Sequence, residues 1–307
     1  MASPWSRDLL LSAAAAAALV ALLLHRRSRQ QKRGRSLTST QRNFATNGGP
    51  IGAAGEYETD TALNEYLHFH YGPKSSFLDK ALLGRSTMIT SGFERVKEIC
   101  FQHATSFHHA LDVGCACGAL SFALSERFQR VVGLDTSLSF VQACGTLQRR
   151  RAVPYVLPGQ QVRCAASIST SVRPERCSFA CMDATEFLQT GARFDLILAC
   201  NVLCRLARPR QWLALLRDSL EAGGVVVLVT PYAWLEAWTP REEWLGDNSE
   251  ESSRVLADIM TRNGFSKLHH EEIPFVLAQN DRIYELFISE LTVWSAASAA
   301  SPGVSPT

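Results

Sequence analysis

The stretch Leu111-Asp112-Val113-Gly114-Cys115-Ala116-Cys117-Gly118 contains a short apolar segment that runs into a turn with two glycines. Residues 110–113 predict a buried strand, and residues 119–128 predict the helix after the turn. Gly114 permits a tight turn, and Gly118 lets the backbone approach a ligand closely, because glycine has no Cβ atom. This unit predicts a ligand site at the carboxyl end of the strand.

A carboxylate follows the next predicted strand, which covers residues 131–134. Asp135 stands at the end of this strand and precedes Thr136. A carboxylate offers two oxygens to two neighbouring donors, and it therefore suits the two hydroxyls of a ribose. The pattern predicts that a ligand containing a nucleoside binds beside the glycine turn.

Helical and strand-like segments alternate from residue 63 onward. Such alternation is typical of an α/β fold in which a mostly parallel, doubly wound sheet carries helices on both faces. We therefore predict a Rossmann-like fold. The further predicted segments are a helix at 138–150, a polar insertion at 151–176, strands at 178–182, 194–200 and 225–229, helices at 209–220 and 250–263, and strand candidates at 267–273 and 284–293.

The composition is that of an ordinary globular protein, with 46% hydrophobic and 20% charged residues among 307. This excludes disordered, collagen-like and small disulfide-framework proteins. The net charge of +2 conceals an asymmetry, because residues 1–40 carry seven basic residues and one acid. The rest of the chain is mildly acidic, so we expect no nucleic acid as a partner.

The N-terminal leader combines an apolar run at 9–24 with a basic flank. A helix of that length spans roughly 24 Å, against about 30 Å for the hydrocarbon core of a bilayer. Charge that is heaviest after the apolar run favours an uncleaved signal anchor over 1–35, with the catalytic body cytosolic. A mitochondrial or plastid transit peptide and a plain soluble helix are the alternatives. We further predict a flexible linker at 36–60, one domain at 61–295 and a disordered tail at 296–307.

The nine cysteines form an odd set without a disulfide framework, which fits a reducing compartment. The pairs Cys177-x3-Cys181 and Cys200-x3-Cys204 lie in apolar, strand-like runs, so burial accounts for them better than zinc does. In the adjacent pairs His108-His109 and His269-His270, the two rings would face opposite sides of a strand. We predict no metal site.

Four motifs occur in the order and strand context of one enzyme class. After the glycine turn and Asp135, the acid Asp183 follows the strand at 178–182, and Asn201 follows the strand at 194–200. This arrangement resembles the class I S-adenosylmethionine-dependent methyltransferases. The resemblance implies S-adenosyl-L-methionine as the cofactor, bound by Asp112, Gly114, Cys115, Ala116, Gly118, Asp135, Thr136, Asp183, Ala184 and Asn201.

Two aromatic motifs narrow the resemblance. They are Tyr66-Leu67-His68-Phe69-His70-Tyr71-Gly72, before the core, and Thr230-Pro231-Tyr232-Ala233-Trp234-Leu235-Glu236, after the fifth strand. With them, residues 62–294 are similar to the C-terminal 4-mercaptohistidine N1-methyltransferase domain of ovothiol synthases. The resemblance implies N-methylation of a small imidazole such as a thiol-histidine. The reaction needs no strong base, because a neutral imidazole is abundant at pH 7.

Position beside the aromatic motifs suggests residues for the acceptor side of the site, and Arg282 is added because a guanidinium can bind the carboxylate of a substrate. His70, Tyr71 and Asn201 are the candidate catalytic residues, and the candidate substrate-binding residues are Tyr71, Tyr232, Trp234 and Arg282. The sulfoxide synthase half of ovothiol synthases does not occur in this sequence, so a separate sulfoxide synthase is an expected partner. Two alternatives stay open: methylation of another small molecule or of a protein histidine, and a catalytically idle, cofactor-binding interaction module at a membrane.

Overall fold

The computed structural model describes residues 53–72, 92–157, 159–278 and 283–296. The predicted apolar helix at 9–24, most of the linker, the tail from residue 297 and Arg282 lie outside these ranges. Among the helices within them, none is both long and apolar enough to cross a membrane. From Tyr57 onward the described residues form one compact unit, and Ala53–Glu56 belongs to the unit before it.

Nine strands and eight α-helices make up the described part of the chain. The strands are β1 (His109–Val113), β2 (Arg130–Asp135), β3 (Ala152–Val156), β4 (Arg163–Ser167), β5 (Cys177–Cys181), β6 (Phe194–Cys200), β7 (Leu220–Thr230), β8 (Phe265–Ala278) and β9 (Tyr284–Ala296). The helices are α1 (Ala53–Glu56), α2 (Asp60–Tyr71), α3 (Gly92–His103), α4 (Ala119–Leu124), α5 (Leu138–Arg150), α6 (Ala184–Leu188), α7 (Pro209–Leu215) and α8 (Ser249–Arg262). Single 3₁₀ turns lie at Pro174–Arg176, Leu203–Arg205 and Arg241–Glu243.

Seven of the strands form one sheet in the order β5-β2-β1-β6-β7-β9-β8. The first five are parallel to their neighbours, and β9 and β8 continue the sheet antiparallel. Asp112 on β1 pairs with Gly133 on β2 and with Leu198 on β6. This register places the carboxyl ends of the central strands at one edge. The prediction of a mostly parallel, Rossmann-like α/β sheet with flanking helices is confirmed.

The central strands lie in the apolar core because helices cover both faces of the sheet. In β6 six of the seven residues are buried, and the second half of β7 is buried throughout. Such continuous apolar runs are expected of parallel strands packed on both sides. The largest fully buried side chains include Trp212, Trp294 and Phe122.

The predicted polar insertion at 151–176 was wrong in part, because it folds into the antiparallel hairpin β3–β4. The sequence does not reveal the hairpin, because few of its residues are buried. Tyr155 and Ala166 are buried, and their neighbours along each strand are half-buried or exposed. The Tyr155 hydroxyl also contacts Nδ1 of His68 on α2 at 2.9 Å. One buried face of a hairpin gives a weak apolar signal, so tertiary packing decided this segment.

Two predicted helices are shorter than their patterns, since α4 ends at Leu124 and α7 at Leu215. After α4, the Ser125 hydroxyl donates to the Phe122 carbonyl at 2.5 Å and so competes with continuation of the helix. The helix predicted at 138–150 and the strand predicted at 194–200 have the bounds of α5 and β6.

Asp195, within the predicted fourth-strand motif, lies at the start of β6 and therefore away from the carboxyl edge. Its Oδ2 accepts hydrogen bonds from the backbone N–H groups of His108 at 3.0 Å and His109 at 2.7 Å. The side chain is buried. It therefore holds the segment that enters β1 against the amino end of β6.

We expect Asp195→Ala to lower the free energy of unfolding by about 1–3 kcal/mol, because it leaves two backbone donors without their acceptor. Asp195→Asn should lose less, since the amide oxygen can still accept. Urea denaturation measures both values. Exposed Asp218 provides the control, and equal stability of Asp195→Ala and Asp218→Ala would contradict the structural role.

Candidate functional site

The glycine turn after β1 is built from left-handed residues. Gly114, Ala116 and Gly118 have φ values of 68°, 43° and 82°. A Cβ atom on Gly114 would lie 2.5 Å from Cγ2 of Val202, which comes from the loop after β6. Glycine is therefore required at this position by both backbone conformation and space.

Asp135 holds the turn in place and still has capacity for a ligand. Its Oδ2 accepts from the Ala116 N–H at 2.9 Å, and its Oδ1 accepts from the Ser137 N–H at 2.8 Å. The backbone of Thr136 also contributes a hydrogen bond. A carboxylate has about four lone-pair sites, so capacity is left for a further donor, such as a hydroxyl of a ribose. Burial raises the pKa of the Asp135 carboxyl above its usual value.

Asp112 is the more deeply buried acid of the site. The Ser121 hydroxyl donates to its Oδ2 at 2.5 Å. Burial raises the pKa of Asp112 to about 7. A cation nearby would favour the ionised form and lower that pKa again. The site therefore fits a ligand with a positively charged group, such as the sulfonium or the ammonium of S-adenosylmethionine.

Asp183 follows β5 and caps the helix α6. Its Oδ1 accepts from the backbone N–H groups of Thr185 at 2.8 Å and Glu186 at 3.0 Å. The cap fixes the side chain two residues beyond the end of β5, and Ala184 beside it is buried. Thr136 is exposed immediately after Asp135. The binding of adenine by Asp183 stays a prediction.

An aromatic and acidic clasp, formed by Tyr57, Glu58 and Trp238, lies beside Asp135. The Tyr57 and Trp238 rings stack with centroids 4.9 Å apart. Glu58 accepts from the Leu138 N–H at 2.7 Å and from the Ser139 hydroxyl at 2.9 Å, at the start of α5. No local sequence pattern indicates the clasp, because Trp238 is far from Tyr57 and Glu58 along the chain and only the fold brings them together.

At the end of α2, Tyr71 connects the helix to the glycine turn. Its hydroxyl donates to the Cys117 carbonyl at 2.8 Å. Burial raises the pKa of Tyr71 well above its usual value, so this hydroxyl keeps its proton. Tyr71 therefore positions the helix against the turn, and it is not a base.

His70 is enclosed by aromatic rings. Its centroid lies 5.0 Å from that of Phe93 and 5.5 to 6.0 Å from those of Tyr66, Phe69 and Tyr71. Its Nδ1 is buried and has no hydrogen-bond partner among the residues that the structure describes. Burial lowers the pKa of His70 to about 3, so the ring is neutral at physiological pH. An unsatisfied buried nitrogen of this kind points to a ligand that completes it.

A row of phenyl rings continues from His70 toward the antiparallel end of the sheet. Phe93 contacts Phe275 with a centroid distance of 5.5 Å, and Phe275 stacks on Phe287 at 5.4 Å. These rings form an apolar wall suited to a flat group. The sequence reasoning also missed them, although Phe275 stands within the quoted pattern of the similar family.

Asn201 stands directly after β6, on the same edge, with a left-handed φ of 56°. Its side-chain oxygen accepts a hydrogen bond from the Ser289 hydroxyl at 2.8 Å. Asn201 therefore lies at the same carboxyl edge of the sheet as the glycine turn and Asp135.

Tyr232 and Trp234 are both buried, and their polar atoms already have protein partners. The Tyr232 hydroxyl donates to Glu290, and the Trp234 indole N–H donates to Ser252 at 3.1 Å. Burial raises the pKa of Tyr232 above its usual value. The substrate-binding roles of both residues stay predictions, as does that of Arg282 outside the described residues.

Within the ranges that the structure describes, no group of three or more His, Cys, Asp or Glu side chains could hold a metal ion. The described cysteines are all free thiols. Cys115 of the glycine turn is buried, and its Sγ lies 3.7 Å from the Ala116 carbonyl oxygen.

Comparison with known proteins gives the class of domain. Residues 111–226 match the protein family described as methyltransferase domain. This range begins in β1 and ends in β7, and it contains the glycine turn, Asp135, Asp183 and Asn201. The match confirms the class of enzyme predicted from the sequence, a methyltransferase. No curated protein matches the chain.

Solved structures with a similar fold are distant in sequence. One is magnesium protoporphyrin IX methyltransferase from Synechocystis with bound S-adenosylmethionine, with 18% identity, 77% of this chain and 93% of that chain covered, and a TM-score of 0.45. Another is the N-methyltransferase NodS from Bradyrhizobium japonicum with S-adenosylhomocysteine, with 16% identity, 76% and 97% covered, and a TM-score of 0.43. A third is an S-adenosylmethionine-dependent methyltransferase from Clostridium acetobutylicum, with 14% identity, 72% and 97% covered, and a TM-score of 0.44.

We expect Asp135→Ala to weaken the binding of S-adenosylmethionine by at least about tenfold, because hydrogen bonds to a charged group are among the stronger ones. Isothermal titration calorimetry measures the dissociation constant, and circular dichroism confirms that the variant is folded. Asp218→Ala is the matched control at an exposed aspartate. Equal affinity of the Asp135 variant and the wild type would remove Asp135 from the cofactor site.

Proposed function

The chain is an S-adenosylmethionine-dependent methyltransferase, and from that premise we propose that it methylates a ring nitrogen of a small imidazole of the 4-mercaptohistidine type. The bound cofactor supplies a methyl group on a cationic sulfur. The buried, unpartnered Nδ1 of His70 is the observation that carries the proposal. It lies next to Tyr71, whose hydroxyl is bound to the glycine turn.

A neutral histidine in an apolar cage suits a neutral, flat acceptor. A buried hydrogen-bonding group without a partner costs about 1–3 kcal/mol of free energy. A substrate that forms a hydrogen bond with His70 would recover this free energy. In the phenyl wall Phe275 is fully buried, and the partly buried rings of Phe93 and Phe287 are the ones that can stack on a flat group. Both features support an aromatic heterocycle.

The protonation states of Tyr71 and His70 support an imidazole as the methyl acceptor. Tyr71 keeps its proton and His70 stays neutral, so neither residue removes a proton from an amine at neutral pH. An imidazole with a pKa of about 6.5 is largely neutral at pH 7 and needs no base to become a nucleophile. The chain then has only to hold the nitrogen in line with the methyl group. A separate sulfoxide synthase would supply the thiol of a mercaptohistidine.

Incubation of the full chain with labelled cofactor and a panel of acceptors tests the proposal. The panel contains 4-mercaptohistidine, histidine, histidine peptides and non-imidazole amines. We expect label on the small imidazoles, with 4-mercaptohistidine the best acceptor. Label on protein or on histidine peptides alone would replace the small-molecule substrate with a protein histidine. Cofactor binding without any transfer would favour an idle binding module.

The pH dependence of kcat/KM shows whether the titrating group belongs to the methyl acceptor or to the enzyme. We expect kcat/KM to rise with pH through the pKa of the acceptor imidazole and then to level off. His70, whose pKa is lowered to about 3, stays neutral across that range and adds no second titration. His70→Phe should lower kcat/KM about tenfold or more, because one buried hydrogen bond is lost. The affinity for the cofactor should not change. A profile that follows an enzyme group and is the same for acceptors of different pKa would contradict the proposal.

We also infer that residues 9–24 tether the enzyme to a membrane with the catalytic body on the cytosolic side. The apolar run and the basic residues that follow it support this orientation. A fluorescent reporter fused to residues 1–40 tests it by microscopy and membrane fractionation. We expect signal on a membrane; signal in mitochondria or plastids would favour a transit peptide, and diffuse signal would remove the tether.

A further inference from the structure

The backbone of Asn201 is fixed at the carboxyl edge. Its N–H donates to the Val229 carbonyl of β7 at 2.7 Å, and its φ of 56° lies in the left-handed region. Asparagine tolerates this conformation better than most residues other than glycine do. The next residue, Val202, packs against Gly114. Asn201 therefore stands beside the glycine turn in a defined orientation.

The side chain of Asn201 reaches past the end of β7 to β9. In the antiparallel pairing of these strands, Thr230 lies opposite Glu290, so Ser289 is one residue beyond the last pair. The Ser289 hydroxyl, which is fully buried, donates to Oδ1 of Asn201 at 2.8 Å. The strand β9 thus sets the orientation of a side chain that follows β6.

This hydrogen bond decides which end of the amide is available. With Oδ1 held by Ser289, the two N–H groups of Nδ2 are on the opposite branch of the amide. Asn201 is only half-buried. It can therefore present a hydrogen-bond donor at the edge of the sheet, while its oxygen already has a protein partner.

We propose that Ser289 is a positioning residue that orients Asn201 as a donor, and that this selects an aromatic ring nitrogen over an amine as the methyl acceptor. The proposal rests on the methyltransferase function proposed above and makes its acceptor class more specific. Asn201 then donates to the thiolate or carboxylate substituent of the acceptor, which leaves the single lone pair of the ring nitrogen free to attack the methyl group.

The selection follows from the hybridisation of the two nucleophiles. A neutral imidazole nitrogen carries its lone pair in the ring plane and no hydrogen, so orienting the ring also aims the lone pair. An amine nitrogen has N–H groups that acceptors must hold to aim its lone pair, and Oδ1 of Asn201, which already accepts from Ser289, has only its second lone pair left for one of them. In the transfer, the nitrogen lone pair forms the new N–CH₃ bond, and the electrons of the broken S–CH₃ bond stay on sulfur as a neutral thioether. The methylated imidazolium then loses its N–H proton to solvent.

A double-mutant cycle with Ser289→Ala, Asn201→Ala and the double variant tests the positioning role. The readouts are kcat and KM for 4-mercaptohistidine and, by calorimetry, the dissociation constant of the same acceptor in the presence of S-adenosylhomocysteine. We expect Ser289→Ala to lower kcat/KM about three- to tenfold in the wild-type background and to have no further effect once Asn201 is alanine. The cofactor dissociation constant of Ser289→Ala should stay unchanged.

Ser295→Ala is the matched control, because Ser295 lies on the same strand, is half-buried and belongs to the opposite end of the sheet. Asn201→Asp adds a second test, since it keeps an oxygen for Ser289 but replaces the donor with an acceptor. We expect this variant to lose imidazole methylation while circular dichroism shows that it is folded.

The outcomes distinguish the two proposals. If the wild type methylates imidazoles and Ser289→Ala has the same effect with and without Asn201, the positioning role is overturned while the imidazole acceptor stands. If the wild type methylates amines and no imidazole, both proposals fall. Non-additive variants together with methylation at a ring nitrogen, located by NMR of the product, would support both.

Discussion

The hydrogen bond from the Ala116 N–H to the carboxylate of Asp135 joins the two strands on which the site depends. It holds a turn in which Gly114, Ala116 and Gly118 are all left-handed, next to an acid that keeps lone pairs for a ligand. The parallel register of β1 and β2 makes this contact possible, since it brings both strand ends to the same level. A shift of one residue would separate the turn from its acid.

Burial moves the ionisable groups of the edge toward their neutral forms. It lowers the pKa of His70 to about 3, raises the pKa of Asp112 to about 7, and raises those of Tyr71 and Cys117 well above their usual values. In such a site the charge that drives the reaction is brought by the cofactor, whose positive sulfur is neutralised as the methyl group leaves. The protein contributes position, exclusion of water and hydrogen bonds of fixed direction.

The elements of the fold and site that could be predicted from the sequence are those formed by residues contiguous in the chain. The strand, glycine turn and helix around Asp112 follow from apolar runs and glycine chemistry, and Asp135 follows from its place after the next strand. The hairpin β3–β4 could not be predicted in the same way, because its strands show only a few buried residues among polar ones. The clasp of Tyr57, Glu58 and Trp238 was equally hidden, since stacking and capping partners distant in sequence leave no local pattern.

The sequence by itself determined the class of fold and the cofactor-binding motifs, because a strand, a glycine turn and an acid at the next strand end are local features with local physical reasons. Only the tertiary structure decided the environment of His70 and the orientation of Asn201. The first depends on aromatic rings from helices α2 and α3, and the second on Ser289 from the antiparallel strand β9. Burial and the direction of a hydrogen bond are set by neighbours in space, and the order of residues along the chain does not contain them.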